Sequence, residues 1–245
     1  MIIVVQPNPD LEYYAVSWKT HVYYTSMCRD WRETLSSCPA YWAGIHLWPC
    51  KHLKKMVARS KKLPVVVRMN LEQYIGAEPT KSQLAQILPT LKDRLVEFHF
   101  KSHAHESLTV PKLWASLPKG EAPLLKPFKL HLSNGGPCMP KIPTSALSFH
   151  RPILQHLALG GCQIDWDALK STKGSCVGTQ NFVTLHLHRI QPPPSRDILL
   201  SILRSSPKLE SLRPERVIPH DFDTSHDTHK APSSIYLRSL AVFTS

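Results

Sequence analysis

Histidines are the residues of this chain whose spacing first suggests chemistry. His186 and His188 are separated by one residue, so both side chains project from the same face if the segment is a strand. His156 occupies a similar apolar–polar pattern earlier in the chain. Imidazoles either bind zinc or gain positive charge as the pH falls through about 6.5. No third metal ligand follows at a matching spacing, so we predict no metal site and favour a basic face for an acidic protein partner.

The sequence contains no motif for catalysis. A phosphate-binding loop, a G-x-S-x-G elbow and an H-E-x-x-H helix are all missing. The six cysteines are never two residues apart, and no spacing pairs one with a base. We therefore predict that the chain is not an enzyme, has no catalytic residues and needs no cofactor.

Composition narrows the class of protein further. The 245 residues include 42% hydrophobic and 20% charged residues, which is typical of a globular protein and not of a disordered one. No apolar run approaches the roughly 20 residues of a membrane helix, and the N-terminus lacks the pattern of a signal peptide. We expect no membrane association and an intracellular protein, either cytoplasmic or nuclear, with reduced cysteines.

A repeat of about 28 residues organises most of the chain. Residues 154–164 fit the leucine-rich-repeat template L-x-x-L-x-L-x-x-N/C-x-L at every fixed position, with Cys162 at the N/C position. Weaker copies give apolar anchors at intervals of 30, 29, 28, 27 and 28 residues, and Val67 precedes the first anchor by 31. The anchors are Phe98, Phe128, Leu157, Leu185, Leu212 and Leu240.

Stacked repeats of this length predict the fold class. Each repeat contributes a short strand with its large apolar residues inward, and helical or irregular segments return on the other side. Helices are expected over 80–91 and 195–204. The prediction is an α/β protein: a right-handed leucine-rich-repeat solenoid over residues 49–245, with a curved parallel sheet and helices on its convex side.

Side chains between the apolar strand positions point outward and would line the concave face of the sheet. Many of them are histidine, lysine or arginine, which suits an acidic partner. The residues predicted to form this partner-binding face are His99, Lys129, His131, His156, His186, His188 and Arg213.

Residues 12–48 differ from the repeats. They are rich in aromatic residues and carry no strand register, but Tyr24, Cys28, Trp31 and Leu35 form a helical stripe that ends before Pro39. A small helical cap over the first repeat is one explanation, because solenoids need their ends covered.

Two stretches of this segment resemble the second half of an F-box: Met27 to Arg32 (MCRDWR) and Ser37 to Trp42 (SCPAYW). Arg59 to Val65 and Leu199 to Leu212 resemble later parts of fungal F-box proteins with degenerate repeats, so the resemblance covers residues 18–245. It implies an adaptor-binding surface over residues 12–48. The residues that it places there are Trp18, Val22, Cys28, Trp31, Leu35, Pro39 and Trp42.

The resemblance implies a substrate-recruiting subunit of an SCF-type ubiquitin ligase that binds a Skp-type adaptor and an unknown protein substrate. The family's first F-box helix begins leucine-proline-x-glutamate-isoleucine, and Met1–Leu11 contains no such motif. Either the start is truncated or this copy has lost part of its adaptor surface. The alternative is a stand-alone repeat scaffold that does not bind the adaptor.

A basic cluster leaves a third function open. Six lysines and arginines fall between Lys51 and Lys62 without an acidic residue, within a chain of net charge +12. An amphipathic helix with a solvated basic side explains this pattern. Nucleic-acid contact is the less favoured alternative, because no sequence signature of a nucleic-acid-binding fold accompanies the cluster.

Overall fold

The computed structural model of the chain describes residues 23, 26–47, 53–70, 72, 78–103, 122–133, 139–143, 153–167, 182–215 and 235–236. Within these ranges no helix is both long and apolar enough to cross a membrane. The strands are β1 (Gly44–Leu47), β2 (Val65–Asn70), β3 (Leu95–His103), β4 (Pro127–Ser133), β5 (Lys141–Ile142), β6 (His156–Gly160), β7 (Gln163–Ile164), β8 (Thr184–His188), β9 (Ser211–Glu215) and β10 (Ile235–Tyr236). The helices are α1 (Arg29–Ser37), α2 (Pro39–Ala43), α3 (Leu53–Arg59), α4 (Glu78–Ile87, continued by a 3₁₀ turn over Leu88–Leu91) and α5 (Arg196–Ser205).

One sheet runs through the described part of the chain in the order β1-β2-β3-β4-β6-β8-β9-β10. The first seven of these strands are parallel, and β10 pairs with β9 in the antiparallel sense. β5 and β7 form a separate two-stranded parallel sheet. Parallel neighbours need a crossover segment between them, and helices in several of these segments make the protein α/β, as the sequence predicted.

The predicted apolar anchors meet in one row of the sheet. Val67 lies opposite Phe98, Phe98 opposite Phe128, and the row continues through the next anchors to Leu212 in direct register. Each of these residues is buried, at 5% exposure or less. This continuous buried row confirms the prediction from repeat spacing; Leu240 lies outside the described residues.

A second buried row lies two residues further along the strands, because side chains on one face recur with a period of two. Phe100 pairs with Leu130, and Leu159 pairs with Leu187. The rings of Phe98 and Phe128 stack at 5.4 Å between centroids. The two rows form one core cluster that extends across the sheet.

Helices cover the face of the sheet that carries these rows. Leu84 and Leu88 from α4 and its 3₁₀ continuation belong to the same core cluster, as do Ile198 and Ile202 from α5. The Ser195 hydroxyl accepts a hydrogen bond from the Ile198 amide at 3.4 Å and caps α5. Both helices predicted from the apolar spacing are therefore present.

The basic segment after Lys51 contains the amphipathic helix that its pattern indicated. In α3, Leu53 and Met56 are buried, whereas Lys54 and Lys55 are exposed. Lys54 and Lys55 thus lie on the solvated side of a packed helix, as the amphipathic explanation of the cluster predicts.

The absence of strand register predicted for residues 12–48 is wrong at its C-terminal end. Gly44 pairs with Val66 and Ile45 with Val67, which makes β1 a parallel neighbour of β2. Ile45 is fully buried and extends the anchor row by one strand. A four-residue strand that begins at glycine is too short to produce an alternating pattern in the sequence.

A left-handed glycine ends β6. Gly161 has φ +69°, and a β-carbon built there would lie 1.8 Å from the backbone oxygen of Leu132. Only glycine fits this close approach of the turn to β4. The turn then directs Cys162 and Ile164 into the core, as the repeat template requires.

Candidate functional site: the polar face of the sheet

The strand residues between the buried rows line the opposite face of the sheet, which we call the polar face. Parallel pairing aligns them in three rows across the strands. The first row contains Pro127, His156, Thr184 and Ser211; the second Arg68, His99, Lys129, Ala158, His186 and Arg213; the third Asn70, Lys101, His131, Gly160, His188 and Glu215. All seven residues that the sequence placed on the outward face lie in these rows.

The carboxylate of Glu97 lies close to two residues of the second row, Arg68 of β2 and His99 of β3. The carboxylate lies 2.8 Å from the guanidinium of Arg68, and both side chains are partly buried. Nε2 of His99 lies 3.6 Å from the same Glu97 oxygen. The guanidinium of Arg68 therefore pairs with this carboxylate, and the imidazole of His99 lies beside the pair.

A second carboxylate, that of Glu72, forms an ion pair with Lys101 of the third row. Lys101 places its ammonium 2.8 Å from the Glu72 carboxylate, and His103 bonds the Glu72 backbone carbonyl through Nε2. The other ring nitrogen of His103 lies 3.1 Å from the Ser133 hydroxyl. Burial alone would raise the pKa of Glu72, but hydrogen bonds from Lys101 and Ser133, with the charges of Lys101 and His131, lower it.

His131 and His188 form a ring pair across β6. Their centroids are 5.5 Å apart although they lie on strands that flank β6 on either side. Gly160 makes this possible, because a β-carbon there would lie 2.8 Å from Nδ1 of His131. His188 also contacts the carboxylate of Glu215 at 3.1 Å. Burial, Lys101 and His188 lower the pKa of His131, against the opposing effect of Glu72 and Glu215.

His156 is held by a neighbour in its own row. Its Nδ1 lies 3.0 Å from the hydroxyl of Thr184, the residue directly opposite on β8. Burial and the nearby charge of Lys129 lower the pKa of His156, and a smaller effect of Lys126 acts in the same direction. Glu210 and Glu97 raise it, but do not reverse the shift.

His186 lies where positive charge is concentrated. Burial is the largest cause of its lowered pKa, followed by the charges of Arg213, Lys129 and His156. The sequence predicted that the face would gain charge as the pH falls through about 6.5. The structure corrects this prediction for His131, His156 and His186. Burial and cationic neighbours lower the pKa of each imidazole, so these side chains gain charge only below the expected pH.

The three histidines that the sequence singles out, His156, His186 and His188, lie on the polar face in two groups. His188 contacts His131, whereas the charge of His156 acts on His186, and Lys129 acts on both. The part of the chain that the structure describes contains no group of three metal-ligating side chains. The segment His220–His229, whose histidines and aspartates are also metal-ligand types, lies outside the described residues.

The N-terminal residues implied by the F-box resemblance differ in their burial. α1 has no buried residue, and Trp31 is 49% exposed. Cys28 is the N-cap of α1, where its sulfur accepts a hydrogen bond from the Trp31 amide at 3.4 Å. Leu35 and Pro39 are half-buried. Trp18 and Val22 lie outside the described residues.

Trp42 is buried at 6% exposure, unlike Trp31. Its indole nitrogen donates a hydrogen bond to the carbonyl of Leu35 at 2.7 Å, and the guanidinium of Arg59 lies 4.5 Å from its ring centroid. These contacts join α1, α2 and α3, so Trp42 holds the helices together and presents little surface to a partner.

Sequence reasoning missed several residues that shape the polar face, among them Arg68 of β2. Ala158, Gly160 and Glu215 occupy outward strand positions, so alternation from His156 and Arg213 was sufficient to find them. Glu72 follows β2 outside the regular alternation, and its contact with Lys101 arises only from tertiary folding.

Comparisons with models of protein families, with curated proteins and with solved structures give no match.

Proposed function

We propose that the chain is a non-catalytic protein-interaction module, the substrate-recruiting F-box subunit of an SCF-type ubiquitin ligase. The observation that carries this proposal is the order of the sheet: seven parallel strands follow one another along the chain and share one row of buried anchors. A fold of this kind exposes a long face for a protein partner.

The same order supports a leucine-rich-repeat solenoid as the architecture. Successive strands recur at the spacing of the sequence repeat, and the return segments with α4 and α5 lie on the apolar face. Parallel crossovers of this type are right-handed in about 98% of cases. In such a solenoid the polar face is the concave, partner-binding surface.

Exposed side chains near the N-terminus support adaptor binding. Tyr23, Met27 and Trp31 are 62%, 51% and 49% exposed and lie in one short stretch of the chain. Large apolar side chains with this exposure are typical of a protein-binding surface.

Co-purification with a Skp-type adaptor tests the ligase role. The full chain should form a stable complex, and Trp31→Ala should weaken it by at least about tenfold, as expected for an aromatic anchor. Leu124→Ala is the matched control, because Leu124 is also an exposed apolar residue but lies beside β4. Circular dichroism should show that both variants are folded. Failure of the wild-type chain to bind the adaptor would contradict the proposal.

One observation favours the alternative of a stand-alone scaffold. β1 belongs to the F-box-like segment but pairs with β2, and Trp42 contacts Arg59 of α3. The end of this segment is thus built into the sheet and acts as its cap. A scaffold without adaptor binding requires only this structural role, and it is the conclusion if the chain folds but does not bind the adaptor.

A further inference from the structure

We propose that the centre of the polar face, over Ala158 of β6 between Lys129 and His186, binds an acidic segment of the recruited protein substrate. This inference rests on the proposed recruiting role of the polar face. It adds the chemical class of the substrate segment and the position where its carboxylates are held.

The first argument is the shape of the face. β6 presents only Ala158 and Gly160 in the second and third rows, whereas both neighbouring strands present long or ring-bearing side chains there. Lys129 and His186 flank Ala158 directly, and His131 and His188 flank Gly160. Ala158 therefore forms the floor of a trough about one side chain deep between Lys129 and His186. The rings of His131 and His188 lie over Gly160 and close the trough at that end.

The second argument is the distribution of charge. Three carboxylates of the described sheet residues and their surroundings are already engaged: Glu97 by Arg68, Glu72 by Lys101 and Glu215 by His188. In the described part of the chain no carboxylate forms an ion pair with Lys129, which is exposed. A carboxylate over Ala158 would therefore meet a cation that has no carboxylate partner among those residues.

His186 supports the same location. Arg213, Lys129 and His156 all lower its pKa in addition to burial, so the potential at this imidazole is positive. Lys129 on β4 and Arg213 on β9 lie in the same row, three strand spacings apart. Because adjacent strands are about 4.8 Å apart, the backbone positions of these two cations are separated by about 14 Å. That distance accommodates more than one acidic side chain of an extended segment.

The composition of the face favours a protein over a nucleic acid. Single-stranded nucleic acids are held by aromatic side chains on which bases stack. Apart from imidazoles, the described strands β2, β3, β4, β6, β8 and β9 contribute no aromatic ring to the three rows. Tyr236 of β10 is opposite Ser211, at the edge of the sheet and away from Ala158. Their cations are also interspersed with carboxylates, which would repel a continuous phosphate backbone.

Binding of a labelled oligoglutamate peptide to the full chain tests the inference. Fluorescence anisotropy should show saturable binding, with no binding of a matched oligoglutamine peptide. Lys129→Glu should raise the dissociation constant by about tenfold. Lys55→Glu is the matched control, because it makes the same charge change at an exposed lysine of α3 and should have less than a twofold effect.

A steric pair of variants tests the trough itself. Ala158→Leu should fill the floor and weaken the peptide by about tenfold, the size of effect expected from blocking a contact. Ala158→Ser should leave the dissociation constant within about twofold. Thermal unfolding by circular dichroism identifies any variant that fails to fold, and Lys129→Gln then replaces Lys129→Glu.

Three outcomes would overturn the inference: no binding of oligoglutamate, equal weakening by Lys129→Glu and Lys55→Glu, or no effect of Ala158→Leu. Tighter binding of an oligothymidylate of equal charge, with the same response to the variants, would assign the face to nucleic acid. Adaptor co-purification separates the two proposals. If the adaptor binds and oligoglutamate does not, only the acidic-segment inference fails; if oligoglutamate binds and the adaptor does not, the ligase role fails.

Discussion

The apolar and polar faces belong to the same strands, but different interactions hold them. On the apolar face, Phe98 and its row partners are buried in direct register and packed against helices. On the polar face, side chains such as His186 and Lys129 are half-buried or exposed and interact through charge. The difference shows that burial stabilises the fold on one face, whereas charge determines which side chains interact on the other.

Substitutions on each face separate the contribution of packing to stability from that of charge. Packing on the apolar face should dominate stability, because removal of a buried ring loses both hydrophobic transfer energy and packing contacts. Charge on the polar face should act weakly at neutral pH and more visibly when the histidines titrate.

The largest expected effect is that of Phe98→Ala. Phe98 is fully buried and stacks on Phe128, so its truncation leaves a cavity in the centre of the anchor row. We expect the free energy of unfolding to fall by about 3–5 kcal/mol. Urea denaturation followed by circular dichroism measures it. A loss below about 1 kcal/mol would show that the row does not carry the core.

Two adjacent glycines provide a sharper comparison. Gly161→Ala should destabilise the protein by at least about 2 kcal/mol, because its φ is left-handed and the new β-carbon would meet the backbone oxygen of Leu132. Gly160→Ala should cost only about 1 kcal/mol, since the imidazole of His131 can rotate away. Equal losses in parallel urea titrations would contradict this assignment.

Acid should destabilise the protein through the polar face. The pKa of His186 is lower in the folded chain than the ordinary value of about 6.5, so the unfolded chain takes up the proton first. Its contribution to stability is therefore complete above about pH 6.5 and decreases as the pH falls through the folded pKa. His186→Gln should give a shallower dependence of unfolding free energy on pH between about 7 and 5. An unchanged slope would exclude His186 as a contributor.

The smallest effect is expected for Lys129→Gln. An exposed charge on the polar face should change the free energy of unfolding by no more than about 0.5 kcal/mol at neutral pH. Because Lys129 lowers the pKa of both His156 and His186, its removal should also reduce the loss of stability in acid. A large loss at neutral pH would mean that Lys129 supports the fold.

Elements with a clear period were predictable from the sequence. The interval between Phe98, Phe128 and Leu157 predicted parallel strands in register, and the 3.6-residue spacing predicted the helices now seen as α4 and α5. Strand alternation also placed His131 and His188 on one face. These features depend on the spacing of residues along the chain, which can be read directly from the sequence.

Other features were not predictable because they depend on distant segments. β1 is recognisable only through its pairing with β2, and the contact between Glu72 and Lys101 depends on how the chain turns after β2. The pKa of His186 depends on cations contributed by neighbouring strands. No local sequence pattern contains that information.

The sequence by itself determined which residues face the core, because alternation and repeat length are properties of the chain. Tertiary structure decided which polar side chains become neighbours. His131 reaches His188 because Gly160 on the intervening strand has no β-carbon, and Glu97 meets Arg68 because parallel pairing aligns their strands. The physical reason is that burial requires only an apolar side chain at the right period, whereas an electrostatic contact requires two particular groups within a few ångströms.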